Sequence, residues 1–575
     1  MGRLADRAGI QFRQLNTSKG PAVRASRAQC DKVLYPQFAQ SLLRSVNGLT
    51  IIEDEADDLI TQANEVGGVI LRSGVRLTSR AVVITSGTFL RAVMFTGEHA
   101  EVGGRAGDHA ASRLSEKILS LGFRLRRLKT GTPPRLHRAS IDYLKMTRQD
   151  GDTSPLSFSF YHPVHERFPV QPQVACYITY TNPQTHEIIE RNFHRSPMFT
   201  GVIKGVGPRY CPSIEDKVKR FRDRERHQIF IEPEGLSLDE MYVNGVSTSL
   251  PADVQEEFIR SVAGLENARF LRHGYAVEYD AIDSRQLKLT LESKDVSGLF
   301  FAGQVNGTSG YEEAGAQGLV AGINAALLSK GADPFVLERH ESYTGVMIDD
   351  LTLTGADEPY RMFSSRAEGR LFLREDNADL RLSEKGYRLG LLSEYDYERF
   401  LVYREQVERG VRHLQSVYLN PTPEFNTRLS EKGLAPIQDR VSGAALIRRP
   451  EVSLRTLEEL MDGMAECHED LSTLPPRARE QVETYVKYEG YIRRENELYE
   501  AVRKNEALRI PADLDYSKVH GLSTEVLTKL KETRPLSLGQ MGRISGVTPA
   551  AVANMLLYLR SNKRGVVVPE ERLSS

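Results

Sequence analysis

Residues 50–90 alternate short apolar runs with turns. Thr50–Ile52 is apolar, Gly67-Gly68 precedes Val69–Leu71, and Gly74 separates that run from Val75–Leu77. Ala81-Val82-Val83-Ile84-Thr85 then ends on Ser86-Gly87-Thr88. This β-branched run closed by glycine predicts a buried strand. A buried strand running into a glycine turn recurs in doubly wound α/β folds, where ligands sit beyond the carboxyl ends of strands. Between residues 145 and 275 the pattern changes. Ala175–Tyr180 meets a turn at Asn182-Pro183, and Gln228–Ile231 runs up to Pro233 and Gly235, which predicts an inserted mixed domain. Gly298–Phe301 resumes the strand-then-glycine style. After about residue 335 the chain becomes charged and leucine-rich. Within Glu480–Leu508, Val482, Tyr485, Val486 and Ile492 fall near one helical face.

A length of 575 residues allows several domains. No apolar run approaches the ~20 residues of a membrane helix. The four cysteines, Cys30, Cys176, Cys211 and Cys467, form no C-x-x-C pair, so neither a zinc site nor a disulfide framework is expected, and such sparse cysteine suits a reducing cytosol. The net charge of −1 means that nucleic-acid contact must come from local patches. Leu121–Arg138 holds Arg124, Arg126, Arg127, Lys129, Arg135 and Arg138 with no acid, while Lys217–Arg226 is diluted by Asp223 and Glu225. A solvated face, anion contacts to a cofactor and phosphate binding all fit such clusters.

Four stretches could carry chemistry. Residues 298–327 run from the strand Leu299–Ala302 into a polar glycine turn with Gln304, Asn306, Gly307, Thr308 and Gly310. A helix studded with Ala314, Gly315, Ala316, Gly318, Ala321 and Gly322 follows. Small residues let that helix lie close to a sheet or a flat ring, and its amino end offers N–H groups to an electron-rich ligand atom. Residues 205–221, GVGPRYCPSIEDKVKRF, form a proline-marked loop before a helix that Ser213 can cap, with Asp216 three residues on. Cys211 sits there between prolines, either as a thiol of lowered pKa or as a small buried hydrophobe. Lys129–Arg135, KTGTPPR, is a rigid loop suited to anion binding or to a structural turn. Residues 539–560 read as helix, turn at Ser545-Gly546, and a helix capped at Thr548-Pro549. The second helix has few polar side chains to read bases, which favours packing or partner docking over DNA reading.

Taken together, GPRYCPSIEDK, KTGTPPR, GGRAGD (103–108), FAGQVNGTSGYEEA, EPYRMFSSRAE (358–368), LREDNADLRL (373–382), VKYEGYI (486–492) and SGVTPAAV (545–552) resemble the signature stretches of the MnmG (GidA) family, in family order and over essentially the whole chain. The resemblance implies an α/β Rossmann-like FAD/NAD(P)-binding flavoprotein fold with an inserted mixed α/β domain and a C-terminal all-helical domain. The FAD-binding domain would occupy 1–144 and 276–335, the NAD-associated insert 145–275, and the helical, partner- and tRNA-docking domain 336–575. It implies a cytoplasmic, homodimeric enzyme of tRNA wobble-uridine modification that works with the GTPase MnmE. FAD and NADH would be its cofactors and methylenetetrahydrofolate its one-carbon donor. The product would be 5-carboxymethylaminomethyluridine or 5-aminomethyluridine.

Residue by residue, Ala56, Ser112 and Gln304 match family positions for FAD. Gly207, Pro208, Arg209, Tyr210, Cys211, Pro212, Ser213, Ile214, Glu215, Asp216, Lys217, Val218, Lys219, Arg220 and Phe221 match the NAD-associated segment. Cys211 matches one of two family cysteines with a proposed catalytic role, and Lys129, Arg135 and Arg209 would face tRNA. No metal is implied. One departure stands out: family members begin with a strand, a G-x-G-x-x-G turn and a helix that cradle the FAD pyrophosphate, followed by a second cysteine in a Ser-Cys-Asn-Pro stretch. The sequence opens on what resembles family sequence just after that βαβ unit, so the fold is expected to be incomplete at its amino end. The competing expectation is a non-catalytic tRNA- or GTPase-binding remnant. A related folate- and FAD-dependent tRNA methyltransferase family is shorter and lacks the helical C-terminal portion.

Overall fold

A computed structural model describes residues 1–161, 167–208, 212–462, 471–506, 508–511 and 513–561. Helix α1 (Gly2–Ala8) leads into an antiparallel hairpin, β1 (Gly9–Leu15) and β2 (Ala25–Cys30), and then α2 (Leu34–Arg44). A meander follows, β3 (Ala56–Gln62), β4 (Glu65–Leu71) and β5 (Arg76–Thr78). Gly68 makes the β4–β5 approach possible: it lies at φ +143°, and a Cβ there would fall 1.9 Å from the Leu77 carbonyl oxygen. Next come β6 (Val82–Ile84), the hairpin β7 (Val93–Thr96) and β8 (His99–Val102), α3 (Ser112–Ser120), β9 (Leu125–Thr132) and β10 (Arg135–His137). The middle of the chain supplies β11 (Thr147–Gln149), β12 (Cys176–Tyr180), α4 (Pro183–Arg191), α5 (Ile214–Arg220), β13 (Gln228–Pro233), β14 (Glu240–Asn244), α6 (Ala252–Arg260) and β15 (Phe270–Arg272). The long β16 (Tyr275–Ile282), β17 (Leu299–Phe301), α7 (Tyr311–Lys330) and α8 (Tyr343–Leu353) complete the α/β part.

Three further sheets organise the α/β part. The first is the parallel pair β17–β6, with Leu299 opposite Val82 and Phe301 opposite Ile84. Its strands are buried with Val305, Val320 and Ala321 of the following turn and helix, and with Met347, Ile348 and Leu351 of α8. The second is the sheet β8–β7–β16–β9. The third is the six-stranded sheet β11–β12–β13–β14–β10–β15, whose Ile229, Ile231, Met241 and Val243 pack on Ile188 and Ile189 of α4, Val218 of α5 and Phe258 of α6. That sheet reaches back to Arg135 in β10, ahead of the shift in sequence pattern at residue 145.

The remainder is helical apart from a two-residue ladder. Helices α9 (Ala378–Arg388), α10 (Glu394–Ser416), α11 (Pro423–Glu431), α12 (Gly443–Ile447), α13 (Leu454–Met461) and α14 (Pro476–Glu506) come first. Leu414, Leu429, Ile447, Leu457 and Val482 form the core of α10–α14. A second small core joins α15 (Thr524–Thr533), α16 (Leu538–Arg543) and α17 (Pro549–Ser561) through Leu530, Met541 and Met555. Thr548 caps α17 as its Oγ1 accepts from the Ala551 N–H at 3.2 Å.

Two local expectations change. Thr50–Ile52 is not a strand: Ile51 and Ile52 are 57% and 51% exposed, and among the described residues no strand edge pairs with them. An apolar run becomes a strand only when a neighbour satisfies its backbone. In α14, Val482, Val486 and Ile492 are buried but Tyr485 is 44% exposed, because a residue three on from Val482 falls at the margin of the buried stripe.

Candidate active site

Parallel strands β6 and β17 end on the same side. The first runs into Ser86-Gly87-Thr88 and the second into the turn Gly303–Gly310. Gly303 and Gly307 adopt φ +86° and +82°, values a side-chain-bearing residue rarely holds. Gln317, fully buried on the small-residue helix α7, ties this turn together. Its Oε1 accepts from the Gly303 N–H at 3.1 Å and from Asn306 Nδ2 at 2.9 Å, and its Nε2 donates to Thr308 Oγ1 at 3.0 Å. With its Nδ2 held this way, Asn306 is left with Oδ1 buried and unpartnered; Ser86 Oγ is buried and unpartnered too. Gln304 reaches the β6 turn, its Oε1 lying 3.6 Å from where a Cβ on Gly87 would stand.

The segment that follows α8 is pinned to the same turn. The Tyr360 N–H donates to the Gly307 carbonyl at 2.7 Å, and Glu313 Oε1 accepts from Arg361 Nε and from the Met362 N–H. Tyr360 donates its hydroxyl to Asp350 at 2.7 Å, and burial pushes that phenol far above its ordinary value.

Ser112 opens α3. Its neighbour Ala111 donates its N–H to the Phe89 carbonyl beside the β6 turn, at 2.8 Å. Ala56 opens β3, and Arg113 clamps α3 to β3 through Asp57 at 2.8 Å. Ala56, Ser112 and Gln304 therefore lie on elements that meet around the carboxyl ends of β6 and β17. The residues present fit the polar edge of a flat ring. A buried hydroxyl that can donate and a buried amide oxygen that can accept lack partners among the described residues, which a native interior leaves only rarely. The helix beside them is lined with glycine and alanine.

The segment from residue 205 is fastened to β9. Lys129 donates its N–H to the Val206 carbonyl at 2.9 Å, and Glu278 Oε1 accepts the Lys204 and Gly205 N–H groups at 2.7 and 2.6 Å. Gly207 and Pro208 continue it, whereas Arg209, Tyr210 and Cys211 lie outside the described residues. Beyond Pro212, Ser213 caps α5 by accepting the Asp216 N–H at 3.4 Å. Ile214 and Val218 are buried in the core of the six-stranded sheet. Glu215, fully buried, accepts from the Ser249 N–H and hydroxyl at 2.9 and 2.8 Å. Lys217 donates to the Gly245 carbonyl, Lys219 lies over the Phe199 ring, and Arg220 and Phe221 are exposed.

The basic stretch 121–138 does not present a row of open cations. Arg124 and Arg126 pair with buried Asp283, and Arg127 pairs with Glu278 and Asp280. Lys129 is 4% exposed and donates to Met198 Sδ at 3.1 Å. Arg135 pairs with Glu234 at 3.1 Å and lies over the Tyr242 ring. Lys129 and Arg135, expected to face tRNA, are instead held inside the protein. The Glu234 carboxylate that neutralises Arg135 lies 99 positions away, too distant in sequence to be read as a neighbour. Cys30 and Cys176 are half-buried and buried, with thiols pushed up to about 11 by burial, so neither is an activated nucleophile. Cys467 lies outside the described residues. Among the described residues no metal-ligating cluster occurs, and no helix is long and apolar enough to cross a membrane. Ser86, Asn306 and Gln317 were not singled out as ligand contacts from sequence. The available signal was a row of polar side chains, Glu313, Gln317 and Asn324, on the buried face of a helix otherwise rich in small residues.

This arrangement defines a cofactor-binding α/β protein with a β-rich insertion and helical extensions. Family models extend that class. Residues 1–333 match "Glucose inhibited division protein A", residues 394–496 the "tRNA modifying enzyme MnmG/GidA C-terminal helical domain", and residues 499–574 the corresponding C-terminal helical bundle. Two crystal structures of Aquifex aeolicus GidA, in crystal forms II and I, superpose with TM-scores of 0.88 at 44% and 45% identity. They cover 97% of this chain and 88% and 89% of their own. The chain belongs to the MnmG/GidA family, whose members are FAD-dependent tRNA uridine-modifying enzymes, and it has that family's FAD-binding Rossmann-like fold.

Proposed function

We propose that this chain forms 5-carboxymethylaminomethyluridine, or 5-aminomethyluridine, at the wobble position of tRNA, as a cytoplasmic homodimer acting with the GTPase MnmE. The observation that carries the reading is the pair of buried, unpartnered oxygens, Ser86 Oγ and Asn306 Oδ1, at the carboxyl ends of the parallel strands. FAD held there would supply the redox chemistry, with NADH as its reductant and methylenetetrahydrofolate as the one-carbon donor.

The protein's own residues bind, orient and exclude water. Ser86 donates and Asn306 accepts, and Gln317 holds the Asn306 amide in the orientation that keeps its oxygen available. Gln304, Ala56 and Ser112 are the further residues this reading gives to FAD. Phe300, Phe301, Val305 and Leu351 keep water from beneath it. The segment Gly207–Phe221 is assigned to NAD. Cys211 is the nucleophile candidate, beside Arg209, which faces tRNA. The helical portion beyond residue 336 docks the GTPase and supports the RNA.

Ser86→Ala removes an unpartnered buried hydroxyl, whereas Asn306→Leu also breaks the bond to Gln317 Oε1, which keeps the Gly303 N–H as a donor, so thermal melting of each variant accompanies the flavin measurement. Each is expected to weaken FAD binding at least tenfold, read by flavin absorbance after gel filtration. Each should also lower the modified-nucleoside content of tRNA from cells in which the variant is the sole copy. Undiminished flavin in both variants would remove the cofactor from this turn.

A further inference from the structure

The β1–β2 hairpin places Arg13 and Arg27 directly opposite one another in its register. Residues opposed in this way share a face, and like charges so placed repel. Only Arg27 is compensated by a carboxylate, that of Glu232, which is buried. Arg13 has no carboxylate partner among the described residues, and its Nε is buried with no hydrogen-bond partner. Both arginines line one cavity of about 230 Å³, whose lining also includes Pro155, Leu156 and Phe158. The only acid in its lining, Asp152, is engaged through Oδ2 by the Gln14 N–H at 2.7 Å.

A cavity that gathers two guanidinium groups against a single lining carboxylate, Asp152, and carries apolar side chains beside them is complementary to an anion attached to a ring. Guanidinium forks match phosphate oxygens through paired N–H bonds. We propose that the Arg13–Arg27 cavity is a phosphate-ester site for a nucleotide, with the phosphate between the two arginines and the nucleoside against Leu156 and Phe158. The hairpin spans two parts of the molecule. Gln11 donates to the Gln149 and Val174 carbonyls near the six-stranded sheet, while Arg24 pairs with Glu480 of α14 and Ser26 donates to Glu375. An occupant would therefore neutralise the repulsion in the hairpin and stiffen the junction between the sheet and the helical extension.

The chemistry could be carried by a free mononucleotide or by one nucleotide of an RNA chain, and two measurements on the full chain separate them. Uridine 5′-monophosphate is titrated calorimetrically, and binding of a tRNA transcript is followed across a salt series. Arg13→Gln is expected to melt no lower than the parent without ligand, because it relieves the like-charge pair, and to lose the melting-temperature rise caused by the mononucleotide. A free-nucleotide site is read as at least tenfold weaker mononucleotide binding with an unchanged salt slope. An RNA site is read as a decrease of about one in the slope of log K against log salt. Arg13→Lys keeps the charge without the fork and should retain only part of the affinity, so the test survives a poorly folding glutamine variant. If both variants bind mononucleotide and tRNA as the parent does, with an unchanged slope, the proposal is overturned.

Discussion

Arg543 grips Asp349 through two parallel bonds, Nε to Oδ2 at 2.9 Å and Nη2 to Oδ1 at 3.0 Å. The pair joins α16 of the last helical bundle to α8, which packs beneath the glycine turn, across 194 positions of sequence. Asp349 is 5% exposed and is shared with Arg339 at 3.1 Å. Arg543→Met should therefore cost about 2 kcal/mol, less than the ~3–5 of a fully orphaned buried charge, since Arg339 remains. Denaturant unfolding of Arg543→Met, Asp349→Asn and the double variant checks this. A coupling energy near zero would mean that this pair does not help hold the bundle to α8.

Lys294 is the second tie, its amine donating to the Arg285 and Thr533 carbonyls at 2.8 and 2.7 Å. Thr533 ends α15, so the amine meets the negative end of a helix. Burial, aided by the charge of Arg534, nonetheless brings Lys294 down to about 8 from an ordinary 10.5. Between those two values the unfolded chain binds more protons than the folded one, so stability rises with pH across that window. The full span corresponds to about 3 kcal/mol. Lys294→Met should remove this dependence. The parent's gain in denaturant midpoint between pH 7.5 and pH 10, relative to the variant's, measures it, and parallel profiles would refute it.

Much of the site's frame was legible because it is local. The β-branched run ending at Ser86-Gly87, the strand entering Gly303 and the Ser213 cap are written within a few residues of one another, and each formed where the pattern placed it. The rest depends on partners brought from afar. Arg127 is neutralised by Glu278 and Asp280, so its stretch looked basic only when read alone. The cross-strand meeting of Arg13 and Arg27 required a register that no periodicity specifies. Ile51 and Ile52 show the opposite failure, a strand-like pattern without a partner edge. Asn306 became informative only once Gln317, eleven residues on, was seen to hold one end of its amide and leave the other unsatisfied.

Tyr279 poses the same kind of question inside the second sheet. It is fully buried among Ala92, Met94, Leu128 and Ala281, and its hydroxyl has no partner among the described residues. Burial pushes the phenol well above its ordinary value, so it stays neutral across the physiological range. Its strand, β16, packs against the turn that holds Gln304 and Asn306. An unsatisfied buried hydroxyl costs stability, and its removal by Tyr279→Phe should stabilise the protein by about 1 kcal/mol. Such a liability is retained where function uses it. The same variant is therefore expected to lower wobble-uridine modification in cells several-fold while its unfolding midpoint rises. Measuring both on one protein separates the possibilities. A rise in stability with full modification would make the hydroxyl a packing defect, and a fall in stability would mean that it has a partner within the folded chain.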